Sequence, residues 1–518
     1  MKRLSTLATL LALFLLALPL PAQKAKVDSL VLPPTFSDEM VLQRGRPLRL
    51  AGMAPAGTAV EVTLLTTPAD GSRGTTVAQG KATAGKDARF AAELPALEAG
   101  GPYRLAFRSP RGERILENVY VGEVWLCSGQ SNMELRLAEC STADRDVKAA
   151  AQATRLHLYN IESAFPLYAD VWDEARIDSV DHGRYLRTAR WTRSTPETAA
   201  RFSAVAYHFG RILADSLRCH VGLICNAVGG ATTEGWTDRH TLSMQVPEVL
   251  AGDWTENRNI MAWARNRARH NLSATNPKRH RHPFEPAYLF DYGIRPLTDY
   301  AVKGVIWYQG ESNADLVKMH EKLFPALEHS WRTAFDNPDL PFFFVQLSSL
   351  STRPQWPAFR DSQRRLADSL RLTYMVVSAD VGDSLDVHPR NKLVVGRRLA
   401  ASALHHAYGF GDIVPNGPRP LSARSERAGE VRIRFADAEG LRLVGRPDPS
   451  HFEVASRSDL FVPAQEVRIE GNEVVLFCPR AARPTQVRFA WKPFTRALLF
   501  NRGNMPCSTF ELPVKMAH

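Results

Sequence analysis

The sequence predicts an α/β fold, with a parallel sheet covered on both faces by helices and a β-rich segment on either side. Three observations carry this. From Val121 to Tyr408, short apolar runs alternate with stretches of helical period, as a buried parallel sheet requires. Before Val121, alternating runs are broken by Pro, Gly and Asp turns, with no persistent helical period. After Gly409 the chain returns to short strands. A length of 518 residues exceeds one hydrophobic core, so two or three domains are expected.

Residues 1–22 read as an export signal. Lys2 and Arg3 form a charged start, Leu4 to Leu20 is almost wholly apolar, and Pro21-Ala22-Gln23 offers a small-residue cleavage site. The apolar run is short for a membrane span, and no cysteine follows it to carry a lipid. The mature chain is therefore expected to be exported, periplasmic or extracellular, without stable membrane insertion.

Residues 23–120 form the first β-rich unit. Leu48-Arg49-Leu50-Ala51 and Val60-Glu61-Val62-Thr63-Leu64 alternate as half-buried strands do, and a small sandwich packs them. Residues 121–408 form the α/β unit. Its candidate strands are Val124 to Cys127, Val221 to Cys225, Val302 to Tyr308, Phe342 to Leu347 and Tyr374 to Ser378. Phe202 to Leu217 places Val205, Phe209, Ile212 and Leu213 on one helix face, Met319 to Phe335 behaves similarly, and Asn391 to Tyr408 closes the unit. Residues 237–290 lack a clean period and read as an insertion beside the site, where specificity often resides. Residues 409–518 are the second β-rich unit, with strands at Val431-Phe435, Val467-Ile469 and Val474-Phe477.

The formal charge of +11 is spread along the chain, apart from Lys278-Arg279-His280-Arg281-His282, which reads as a solvated loop. No zinc-finger spacing or RNA-binding signature is present, so nucleic acid is not an expected partner. Net basicity favours encounter with anionic sugars at long range, weakly and subject to salt. Export permits disulfides, but the spacing of Cys127, Cys140, Cys219, Cys225, Cys478 and Cys507 selects no pairing. Cys127 reads as a small buried hydrophobe, and Met133 as core.

Four separated motifs fall at or just beyond candidate strand ends, where open α/β sheets place their chemistry. They are Gly129-Gln130-Ser131-Asn132, Gly229-Gly230, Gly310-Glu311-Ser312-Asn313 and Asp386-Val387-His388. Acyl transfer needs a nucleophile, a base, an orienting acid and oxyanion donors, and this set supplies a candidate for each. Ser131 would attack, His388 would take its proton, and Asp386 would orient the imidazole, with Asp380 and Asp383 as rival acids. Gly229 or Gly230 brings a backbone N–H close to substrate, and Asn313 offers a side-chain N–H. Gln130, Gln309, Glu311, Glu234 and Trp236 are the candidate substrate contacts. Glu311 reads equally as a carboxylate tying loops together, and Glu234 and Trp236 as braces. No metal-ligand spacing is seen, and the chemistry needs no cofactor.

These motifs resemble the sialate O-acetylesterase family, a branch of the SGNH hydrolases acting on acetylated carbohydrates. Leu32-Pro33-Pro34 with Phe36-Ser37-Asp38 and Met40-Val41-Leu42-Gln43 is similar to the family's opening. Gly122 to Glu134 resembles its nucleophile block, and Gly229-Gly230 with Glu234 and Trp236 its glycine block. Trp307 to Asn313 and Asp386-Val387-His388-Pro389 resemble the remaining two. The resemblance implies an SGNH-type three-layer sandwich with flanking β domains. It also implies a Ser131–His388–Asp386 triad, with a glycine and Asn313 in the oxyanion hole. One departure bears on pocket shape: the family's aromatic-Gly-Gly-Thr run is Val228-Gly229-Gly230-Ala231 here.

The expected function is an exported serine esterase removing O-acetyl groups from a carbohydrate, either sialic acid or a plant glycan such as xylan. The alternatives are a lipase or peptidase with the same hydroxyl chemistry, and a carbohydrate-binding protein on an inactive hydrolase scaffold.

Overall fold

The computed structural model describes residues 27–516, except 69–71, 73, 445–448, 458–459 and 497. The expected signal, residues 1–22, lies outside the described residues.

The sheet that positions the site is built from seven strands: β1 Gly112–Gly129, β2 Leu156–Ile161, β3 Trp191–Arg193, β4 Val221–Ala227, β5 Gly304–Tyr308, β6 Phe342–Val345 and β7 Thr373–Val376. Their order across the sheet is β7-β6-β5-β1-β4-β2-β3. All pairings are parallel except that of β3, which runs antiparallel at the edge. β1 is central, with β4 on one side and β5 on the other. The chain fills one side before crossing to the other, which opens a crevice at the carboxyl ends of the central strands.

The central strand explains the apolar run around Val124. Trp125 and Cys127 pack on one face of the sheet, and Val124 and Leu126 on the other. A strand buried on both faces needs no polar alternation. The first face is covered by α1 Ala204–Leu217 and by a later helix, α4 Lys392–Tyr408. Ser203 caps α1 by accepting the Ala206 N–H at 3.2 Å. The second face is covered by α2 Val317–Ala334 and α3 Trp356–Ser369. Gly409, with φ +75°, ends α4 in the left-handed turn that glycine favours.

β1 is much longer than the expected Val124 to Cys127 stretch. Its first half pairs antiparallel with Gly100–Ser109 and its second half lies in the parallel sheet, so one strand runs unbroken through Val121. β2 and β3 were not among the sequence candidates: β2 carries the polar His157 and Asn160 among its apolar residues, and β3 is only three residues long. β6 and β7 stop two residues before their expected ends; just beyond β6, the Leu347 N–H is taken up by Gln363 Oε1 of α3 at 2.9 Å rather than by a neighbouring strand. Towards the C-terminus an eight-stranded sheet forms, with Glu430–Ala436, Glu466–Glu470 and Glu473–Phe477 matching the expected strands.

Arg360, fully buried on α3, ties this β-rich region to the rest. Its guanidinium donates to the carbonyls of Lys492 at 2.5 Å, Pro493 at 3.2 Å and Ala490 at 3.3 Å. The six cysteines are buried free thiols. No helix among the described residues is long and apolar enough to cross a membrane.

Candidate active site

β1 ends in a turn that only glycine can make. Gly129 has φ +140°, and a Cβ there would lie 2.1 Å from the Tyr308 carbonyl oxygen of β5. The turn is pinned by the Gln130 N–H donating to that same carbonyl at 3.0 Å. Ser131 then opens a single helical turn, Ser131–Glu134, whose first N–H groups have no acceptor within the helix. Met133 is fully buried, as core.

The loop following β7 returns to this turn. His388 Nε2 lies 2.8 Å from Ser131 Oγ, although the two residues are 257 apart in sequence. Asp386 Oδ1 accepts the backbone N–H of His388 at 2.8 Å and lies 3.6 Å from its Nδ1. The rival acids are engaged elsewhere. Asp380 forms a two-pronged pair with Arg398, both contacts at 2.7 Å, and Asp383 accepts the N–H groups of Leu385 and Asp386. Burial holds the His388 imidazolium below the ordinary histidine range, aided by Lys392 and Arg390 and opposed by Asp386.

Gly229 follows β4 and faces the nucleophile: a Cβ built on it would sit 3.8 Å from Ser131 Cβ. Gly230 has φ +77°, and a Cβ there would press on the Trp263 ring at 2.4 Å. Ser131, His388, Asp386, Gln130, Glu311, Gly229 and Gly230 all line one cavity of about 860 Å³.

Four expected site residues are not on that wall. Asn313 is buried behind it, and its side-chain N–H donates to Glu234 Oε2 at 3.0 Å instead of facing the cavity. Its Oδ1 accepts from Gln309 Nε2 at 2.6 Å and from the Thr233 N–H at 3.0 Å. Gln309 also donates to the Ala231 carbonyl at 3.2 Å. Glu234, fully buried, has its carboxyl raised by desolvation. Trp236 packs edge-on against Trp307 in the core. This polar network braces the glycine turn from behind. Gln130 braces as well as lines, its Oε1 accepting the Ser312 N–H at 3.2 Å.

Several residues on the wall went unread in the sequence. Glu134 reaches Gly229, where its Oε2 would meet an added Cβ at 2.9 Å. Its side chain is open to the cavity, yet the protein crowding it still raises the carboxyl, against a bond from the Gly229 N–H. Trp263 and Arg267 come from the 237–290 segment, with the guanidinium over the indole at 5.4 Å, and Arg136, Arg353 and Arg390 line the same space. Glu134 stood in the sequence only as the last residue of the nucleophile block, with no role of its own, and nothing local marked the arginines. The basic run at 278–282 is tied down by carboxylates: Lys278 pairs with Asp253 at 3.5 Å, His280 with Asp181 at 2.8 Å and Arg281 with Glu285 at 2.7 Å. Among the described residues no cluster of three or more His, Cys, Asp or Glu side chains could hold a metal ion.

Residues 292–405 match the family model described as carbohydrate esterase, sialic acid-specific acetylesterase, a span that includes Glu311 and His388. The chain is 28% identical to the sialate O-acetylesterase of Mus musculus over 449 residues, covering 77% of this chain and 78% of that one. It is 30% identical to the Homo sapiens enzyme over 361 residues, covering 63% and 62%. In structure it resembles a carbohydrate acetylesterase from Xanthomonas citri, with TM-score 0.75 and 29% identity over 93% of this chain and 99% of that one. With a serine and an imidazole in contact on the cavity wall, these likenesses identify the chain as a carboxylic ester hydrolase related to the sialate O-acetylesterases.

Proposed function

We propose that the protein removes O-acetyl groups from carbohydrates by an acyl-enzyme route of the SGNH-hydrolase kind. The observation that carries this is the 2.8 Å contact between His388 Nε2 and Ser131 Oγ inside the 860 Å³ cavity. Ser131 Oγ attacks the acetyl carbonyl while His388 Nε2 takes its proton. The backbone N–H of Ser131 and that of the Gly229-Gly230 turn donate to the oxyanion, the latter once Glu134 releases it. The imidazolium then gives its proton to the departing sugar oxygen. Water, deprotonated by the same nitrogen, attacks the acetyl-Ser131 carbonyl, and the imidazolium returns that proton to Ser131 Oγ as the acyl bond breaks and acetate leaves.

The cavity wall carries Arg136, Arg267, Arg353 and Arg390 beside Glu134, Glu139, Glu311 and Asp386, so its charge alone selects no sugar, and it is the likeness to the sialate O-acetylesterases that favours O-acetylated sialic acid over neutral acetylxylan. Export through residues 1–22 and a division at about 120 and 408 complete the reading.

The test is acetate release from O-acetylated sialic acid and from acetylxylan, with Ser131→Ala alongside. Release from the sialate alone, abolished in the variant, is the expected result. Full turnover by Ser131→Ala would overturn the acyl-enzyme route, and preference for acetylxylan would overturn the substrate.

A further inference from the structure

A buried ammonium lies behind the nucleophile and the base. Lys392, the first residue of α4, is 1% exposed, and its Nζ donates to Asn132 Oδ1. Asn132 in turn donates through Nδ2 to Glu311 Oε1 at 2.5 Å and to the Val387 carbonyl at 3.0 Å. Asn132 directly follows the nucleophile, Val387 directly precedes the base, and Glu311 belongs to the turn after β5. The Nζ also lies 5.2 Å from the centre of the Tyr308 ring. A single side chain thus gathers three of the four motif-bearing segments.

We infer that Lys392 is a positioning residue for hydrolysis: it clamps Asn132 so that Ser131 and His388 are held in contact, with its charged group set behind the base. The inference rests on the acyl-enzyme reading. Two physical effects support it. Asn132 can span from the nucleophile turn to the Val387 carbonyl only while its amide is oriented, and the ammonium on Oδ1 fixes that orientation. The second effect is electrostatic. The groups facing His388 are Ser131, Asp386, Lys392, Arg390 and Glu139, and Lys392 is the more influential of the two cations. Those facing Lys392 are Glu311, Cys140 and Asp386, besides Asn132 and Tyr308. Desolvation lowers the Lys392 ammonium to about 8, so it stays charged throughout the acidic range in which His388 titrates.

The experiment compares Lys392→Met, Lys392→Gln and Ser131→Ala for acetyl-ester turnover across pH. Lys392→Met is expected to lower kcat by about tenfold or more with KM little changed, because a misplaced nucleophile binds substrate but reacts slowly. Its acid limb of kcat/KM is expected to move to higher pH, since the imidazole has lost a repelling charge. Lys392→Gln keeps a donor for Asn132 without the charge, so it should retain more kcat while showing the same displacement of the limb. Turnover within twofold and an unmoved limb in Lys392→Met would overturn the inference. If that variant does not unfold cooperatively, an unmoved limb in Lys392→Gln does so. Normal turnover by Ser131→Ala would instead remove the underlying reading.

Discussion

Replacing Asp386 by Asn probes the weakest contact in the triad geometry. Its Oδ1 lies 3.6 Å from His388 Nδ1, and 45% and 38% of the two side chains' surfaces are exposed. Two unit charges at that distance attract by about 1.2 kcal/mol in a water-like medium and about 4.6 kcal/mol at an effective dielectric constant of 20. Exposure places this pair towards the lower figure. The carboxylate stabilises the imidazolium that forms as Ser131 attacks, so its loss should lower kcat by about 10- to 100-fold. The same interaction raises the imidazole's proton affinity against desolvation, which lowers it. Catalysis needs the neutral ring, so activity is present above that titration and fades as pH falls through it. Without the carboxylate the titration moves down, carrying the acid limb of kcat/KM lower by about 0.5–1 pH unit. The assay is turnover of a chromogenic acetyl ester from pH 4 to 8, with Asp380→Asn in parallel. Asp380 is committed to Arg398, so its variant should lose thermal stability without moving the limb. Asp386→Asn turnover within twofold of wild type, with an unmoved limb, would refute the assignment of Asp386 as the orienting acid.

Two further outcomes follow from close packing. Gly230→Ala forces a methyl into a left-handed backbone, costing about 1–2 kcal/mol, and against the Trp263 ring on the cavity wall. The thermal midpoint should fall and KM for the acetylated sugar should rise more than KM for a small chromogenic ester, whereas equal KM changes would mean that Trp263 does not shape the sugar site. Arg360→Met leaves the carbonyls of Ala490, Lys492 and Pro493 without their buried donor, at about 1–3 kcal/mol for each left unpaired. Calorimetry should show a clearly lowered unfolding midpoint, and an unchanged one would show that those carbonyls find other partners.

The four motifs were legible because acyl transfer demands particular residue types next to tight turns, and a turn such as Gly129-Gln130-Ser131 leaves a local mark. The α/β character was legible too, since strands buried on both faces must be apolar throughout and helices must keep a one-sided period. What chain order could not reveal was the direction and company of each side chain. Asn313 carries the right amide for an oxyanion donor, but folding turns that amide onto Glu234, because a buried carboxylate must be hydrogen-bonded. Asp380 and Asp383 lay near His388 in sequence, as rivals to Asp386, and the placement of Arg398 and of the turn at Leu385 engages both of them elsewhere. Lys392 looked like an ordinary helix residue. Its burial beside Asn132 depends on α4 docking against the nucleophile turn, a contact between segments 260 residues apart. Local composition thus determined which chemistry was available, and long-range packing decided which groups face the substrate and which hold them there.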